Sequence, residues 1–219
     1  LFPAVDGPVP HDVRPVTGLT AYPDAGYYRY SNDNYKLFIY VNPDGYVPGW
    51  SHGHADIGHF ILYWKDSQVF IGTGRSSYRD TPEGRYGRSV RSHNSIAVDG
   101  HEPCIVHGLN GVPAAMSKDY LQLPPVVETV AEDEAMKINV SYGGMGRWIE
   151  SAEVRREFQC RSDELIICDT VNGVGSHHIN TYFQIADGYR VARDDSSFTL
   201  EHVDTVLCMD YPQEGMQTE

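Results

Sequence analysis

What the sequence lacks narrows it first. No apolar run reaches the roughly 18–20 residues that cross a bilayer, so no membrane span is predicted. Basic charge is scarce: Lys and Arg number 17 against 30 Asp and Glu, a formal net charge of −13. That balance argues against a nucleic-acid surface and against a heavily sulfated polyanion as the natural partner, and leaves only local basic pockets. The four cysteines, Cys104, Cys160, Cys168 and Cys208, show no CxxC spacing. They read as buried or free thiols, with a Cys160–Cys168 hairpin disulfide as the alternative. There is no internal repeat, no low-complexity tract and no amphipathic helix longer than two turns. The opening "LFPAVDGPVP" carries no initiator Met, basic region or apolar leader, so the chain reads as an internal or processed piece of something longer.

What is present is β-strand. The segments 35–41, 59–65, 68–72, 94–99, 136–142, 154–160, 164–170, 179–185, 197–203 and 205–211 are β-branched or aromatic and separated by turn residues. "KDSQ", "RSDE" and "DDSS" read as short connectors, and 101–131, rich in Gly and Pro, as the longest loop. In "VRREFQC" the alternation is broken, so its register stays open. Many short strands in 219 residues predict one all-β domain over 1–219, an antiparallel sandwich of two large sheets.

Chemistry concentrates in residues 49–100, which hold four of the ten histidines and five arginines. His52 and His54 are two apart, so in an extended segment their imidazoles point the same way. His93 opens another strand. If the two strands are neighbours, His54 and His93 make a zinc-ligand pair, with Asp56 as third ligand or as an orienting partner. The competing reading is that these are hydrogen-bonded structural histidines. "GRYGRSVRSHN" gathers Tyr86, Arg88, Arg91, His93 and Asn94. Guanidiniums grip carboxylates through paired donors, and a phenol beside cations can exchange a proton, which is what proton abstraction next to a carboxylate requires. The alternative is a solvated arginine loop salt-bridged to Asp80 and Glu83.

The ordered series "HGHADIGHFILYWKDSQVFIGTGRSSYRDTPEGRYGRSVRSHNSIAVDG" resembles the sandwich-domain signature of the heparinase II/III-like polysaccharide lyases. The preceding "YPDAGYYRY" and "YKLFIYV", and the later "LIICDTVNG", resemble further strands of that domain. The resemblance implies β-elimination of uronic-acid glycans in a cleft between this sandwich and an N-terminal α/α toroid, which this chain does not contain. Acting alone, the chain is therefore expected to be inactive or nearly so. Carried over by position, His52 matches the catalytic, charge-neutralising histidine, and His54 and His93 match zinc ligands. Tyr86 matches the proton-exchanging tyrosine, with Tyr78 competing for that place. Arg88, Asn94, Tyr78 and Trp50 are the substrate-binding candidates.

The family's third zinc ligand, an Asp, is replaced here by Gly72, so a structural zinc would need Asp56, water or another residue. The implied partners are an acidic polysaccharide or oligosaccharide and the helical domain, and the implied location is periplasmic or secreted. Two other readings remain open. One is a non-catalytic carbohydrate-binding or structural sandwich using Trp50 or Trp148, with Trp64 in the core. The other is a cupin-like metalloenzyme, disfavoured because no Glu follows the histidine pair.

Overall fold

The computed structural model describes residues 16–41, 53–77, 79–103, 125–143, 153–203 and 205–211. The predicted positions His52, Trp50 and Tyr78, together with Trp148 and Cys104, lie outside these residues.

The first sheet is a five-stranded antiparallel meander: β1 (Gly18–Tyr22), β2 (Tyr27–Ser31), β3 (Tyr35–Tyr40), β4 (His59–Trp64) and β5 (Ser67–Phe70). Burial alternates along β3, and the inward positions of β4 continue the same face. Tyr35, Leu37 and Ile39 of β3 and Phe60 and Leu62 of β4 are buried, while Phe38 between them is exposed. Period-two alternation of this kind buries one face of a sheet and leaves the other free.

A short β6 (Ile96–Val98) leads to a second sheet built from β7 (Val126–Ala131), β8 (Met136–Tyr142), β9 (Glu153–Cys160) and β10 (Leu165–Asn172), hydrogen-bonded in the order β10-β9-β8-β7. The two sheets meet face to face. Phe60 of β4 sits edge-on to Phe158 of β9 with ring centroids 5.6 Å apart, and Ile138, Val140 and Val154 complete the facing layer. Tyr35 Oη donates to the carbonyls of Arg161 (2.9 Å) and Glu164 (3.1 Å), pinning the β9–β10 turn to the first sheet. Trp64 stacks on Tyr35, centroids 5.9 Å apart, against the core as predicted.

Beyond these, β11 (Ile179–Thr181) pairs with β6, and β12 (Arg190–Arg193), β13 (Ser197–His202) and β14 (Thr205–Asp210) form a three-stranded sheet. The stretch after β11 then runs beside β5, where Ile71 N donates to Gln184 O and Ala186 N to Val69 O.

The antiparallel sandwich agrees with the expectation from sequence, and nearly every predicted strand is present. Two differences have physical causes. β7 lies inside the predicted loop, because "VVETVA" pairs with β8 along its full length although most of its side chains are exposed. β12 is exposed throughout and carries no hydrophobic pattern to read. The first reading of the cysteines agrees with the structure and the alternative disulfide does not: Cys160 and Cys168 are free thiols, Cys160 facing the core opposite Leu165 and Cys168 exposed opposite Glu157.

Candidate functional site

The first sheet has one end at which β1 ends, β2 begins, β3 ends and β4 begins. His54, Asp56 and His93 gather there. Approaching β4, the chain turns at Gly58 (φ +71°), with His59 N donating to Asp56 O at 2.9 Å. The turn sets His54 and Asp56 above the start of β4. The opposing segment descends from a short helix, α1 (Pro82–Tyr86), whose start is fixed by Pro82 and by the Thr81 hydroxyl accepting from Gly84 N. A 3-10 turn over Val90–Ser92 follows and delivers His93 and Asn94. Ala55 N donates to Arg88 O at 2.8 Å and Ser95 Oγ to Ile57 O at 2.8 Å, so the two segments are laced together on both sides of the histidines.

Three donors converge there. His54 Nδ1 lies 3.2 Å from His93 Nε2, and one ligand atom each of His54, Asp56 and His93 fall within 4.8 Å of one another. His93 is buried, and its Nδ1 lies 2.8 Å from Ser89 O, where it donates. That bond places the proton on Nδ1 and leaves the Nε2 lone pair aimed at His54, an outer contact of the kind that orients metal-binding histidines. Burial also holds the His93 pKa below its ordinary value, favouring the neutral, ligating form.

Asp56 is half-buried, and desolvation of its carboxyl pushes its pKa up to about 7. A nearby cation would relieve that cost. Two nitrogens at zinc–nitrogen distances of about 2.0–2.1 Å in tetrahedral geometry lie about 3.3 Å apart, so the imidazole spacing fits a shared ion. The donor set therefore suits a divalent metal.

His59 is the third imidazole of the cluster and was not singled out from the sequence. Its ring is 5.2 Å from that of His93, edge to face, and it is 8% exposed. Its Nδ1 accepts from Asn94 N at 3.0 Å, so the proton sits on Nε2 and that nitrogen is a donor, not a metal ligand. Burial, with His93, Arg156 and His54 beside it, pushes its pKa down to about 3. A Cβ on Gly72 would lie 2.8 Å from His59 Nε2. The His59 ring thus fills the space beside position 72, where the family resemblance calls for an aspartate.

Asn94 is fully buried and wholly engaged. Its Nδ2 donates to Phe60 O (2.6 Å) and Ile71 O (3.0 Å), and its Oδ1 accepts from Gln184 N (2.5 Å). It plugs the place where β4 and β5 part company. Arg88 is also buried, with Nε donating to Gly84 O at 3.4 Å. Both side chains point into the protein, not out from the wall. Tyr86 is exposed; its hydroxyl donates to Arg91 O at 3.2 Å, and it lines a cleft of about 410 Å³ with Thr73, Gly74 and Glu83. Among the described residues no hydrogen bond joins Tyr86 to the imidazoles. Asp80 binds Arg85 at 2.9 Å, in line with the salt-bridged loop considered from sequence.

Underneath the cluster lies Arg156 of β9, 2% exposed. It grips Asp169 with two bonds of 2.7 Å and donates through Nη1 to Gly58 O (3.1 Å) and Asn94 O (2.7 Å). One buried guanidinium of the second sheet therefore ties down both histidine-bearing segments, the turn that leads into β4 and the one that leads into β6. The broken alternation of "VRREFQC" was the signal: the inward set is Val154, Arg156, Phe158 and Cys160.

The architecture has counterparts among solved structures. A heparinase III, the BT4657 gene product, superposes with a TM-score of 0.64 at 16% identity over 84% of this chain. The heparan sulfate lyase HepC from Pedobacter heparinus superposes with a TM-score of 0.66 at 13% identity over 87%. At such identities the likeness is one of fold. This chain spans 27% and 28% of the length of those two proteins. No curated protein matches the sequence. The sequence profile of the "Heparinase II/III-like, C-terminal" family matches residues 14–214, nearly the whole chain, and the protein therefore belongs to that family.

Proposed function

We propose that this chain is the sandwich wall of a polysaccharide lyase that cleaves uronic-acid glycans by β-elimination, and that it works with a helical domain that completes the cleft. The observation that supports this most directly is the His54–Asp56–His93 cluster, at the end of the first sheet where β4 begins. In this reading His52 neutralises the substrate carboxylate, which acidifies the neighbouring C5–H. Tyr86, or Tyr78 in its place, takes that proton. The C4–oxygen bond then breaks as the C4=C5 double bond forms, and an acid protonates the departing oxygen, leaving an unsaturated uronide.

His54, Asp56 and His93 would hold a zinc ion, which when bound supplies fixed positive charge that braces this part of the wall. Asn94, Arg88 and Arg156 keep the wall in shape from behind, and Trp50, two positions before His52 in the sequence, would serve as a sugar contact. The acidic substrate falls in the class named by the solved relatives, which are heparin-type lyases. A periplasmic or secreted location follows from the same reading.

The test is to give the full-length protein alginate, glucuronan and unsulfated and sulfated glycosaminoglycans, and to follow the ultraviolet absorbance of unsaturated uronides. Product should form from at least one of them and vanish in His52→Ala. Unchanged turnover in that variant removes His52 from the mechanism. Glycan binding with no product would instead mark a non-catalytic binding module.

A further inference from the structure

We propose that the outward face of the first sheet is a stacking platform, along which a chain of sugar rings crosses the strands by way of Tyr22, Tyr27 and Tyr40 toward the histidine cluster. The acidic character of the ligand rests on the lyase reading above; the platform itself rests on register. Tyr22 of β1 is paired with Tyr27 of β2, Tyr27 with Tyr40 of β3, and Tyr40 with His59 of β4. These four residues form one row across four strands. Side chains alternate along each strand, so the row lies on the face opposite Leu37, Ile39 and Phe60.

The Tyr22 and Tyr27 rings are open to a ligand, and Tyr40 beside them is half-buried. Tyr22 is 61% and Tyr27 56% exposed, and the Tyr27 and Tyr40 centroids are 4.9 Å apart at 41°. Neighbouring strands are about 4.8 Å apart, close to the length of one pyranose unit, so successive sugars would meet successive tyrosines. Tyrosine suits such stacking, because it offers a large flat face and a polar tip and has few rotamers to lose.

The row also leads somewhere. His59 at its end lies against His93, whose Nε2 faces His54, so the aromatic track runs up to the candidate site. Charge agrees with an acidic glycan. In a chain of net charge −13, none of the outward positions of β1–β4 is a carboxylate, while Arg29 stands in the next row and Lys36 in the one after, paired at 3.5 Å with Asp66 just beyond β4. Arg29 lies over the exposed Phe38 ring, 6.0 Å from its centroid.

The experiment is a binding titration of the full-length protein in a His52→Ala background, using unsulfated uronic-acid di-, tetra- and hexasaccharides. Affinity should rise with length in the parent. Tyr22→Ala/Tyr27→Ala should lose roughly tenfold on the hexasaccharide, about 1.4 kcal/mol, with little change on the disaccharide. Tyr22→Phe/Tyr27→Phe, which keeps both rings, should bind like the parent and guards against a folding artefact. Length dependence unaltered by the alanines overturns the platform and leaves the lyase reading standing. Altered oligomeric state or thermal stability in the alanine variant, with glycan affinity intact, makes the row a polypeptide contact and equally overturns it. If no uronide binds the parent and none is cleaved by the wild-type protein, both proposals fall together.

Discussion

Gly72 and His59 occupy each other's space: a methyl group on Gly72 would stand 2.8 Å from His59 Nε2, well inside contact distance. With its Nδ1 held by Asn94 N, the imidazole cannot swing away without breaking that bond. Gly72→Ala should therefore destabilise the domain by about 1–3 kcal/mol, as overpacking does. Combining it with His59→Ala makes room, so the double variant should be less destabilised than the sum of the singles. Denaturant unfolding of the four proteins measures the coupling, and simple additivity would refute the steric account.

Asn94 donates through a single nitrogen to two carbonyls. Asn94→Asp is nearly isosteric but turns that donor into an acceptor facing Phe60 O and Ile71 O. Each buried carbonyl left unpaired costs about 1–3 kcal/mol, so a loss of several kcal/mol is expected. A variant as stable as the parent would show that Asn94 does not plug the gap between β4 and β5.

For the ion site, purified protein should carry one equivalent of zinc, and His54→Ala or His93→Ala should carry none. Free zinc at a hundredfold excess over its dissociation constant stabilises a folded site by about 2.7 kcal/mol, which raises Tm by about 5–10 °C for a domain of this size. Elemental analysis and thermal unfolding with and without chelator read both effects. Absence of retained zinc together with an unmoved Tm would reject the site.

A second imidazole group lies near β6 and β11. His177 Nδ1 is 2.7 Å from Asp99 Oδ2, and His178 N donates to Asp99 Oδ1 at 2.8 Å. The hydrogen bond that His177 donates to Asp99 raises the His177 pKa, while the His178 backbone bond and then His177 lower that of Asp99. The raised histidine contributes stability below its ordinary pKa and loses it as pH rises through the folded value. The lowered carboxylate contributes above its ordinary range and loses it as pH falls through its own folded value. The contact is thus strongest between the carboxylate range and the histidine range. Proton NMR titration should find His177 above its ordinary value and moved down in Asp99→Asn; identical titration in both proteins would dissociate the pair.

Much of the fold was legible because burial on one face writes itself into the chain with period two, as "YKLFIYV" and "HFILYWK" show. β7 and β12 escaped because a strand held mostly by backbone pairing, with its side chains in water, leaves no such mark. Of the site, the pairing of His54 with His93 could be anticipated as two imidazoles from separate stretches of the chain. His59 could not, because a histidine at the head of an apolar strand looks the same whether it faces core, solvent or another imidazole. Arg156 was visible only as a fault in alternation.

By itself, then, the sequence determined the all-β character, the family and the short region where the chemistry gathers, since hydrophobic period, turn residues and motif order are local properties. Only the tertiary structure decided that Arg156 holds the histidine segments from the opposite sheet, that Asn94 and Arg88 face inward, and that Tyr22, Tyr27 and Tyr40 share a row ending at His59. Those relations depend on strand register and on which face packs against which sheet. Both are settled by long-range pairing that no single stretch of residues encodes.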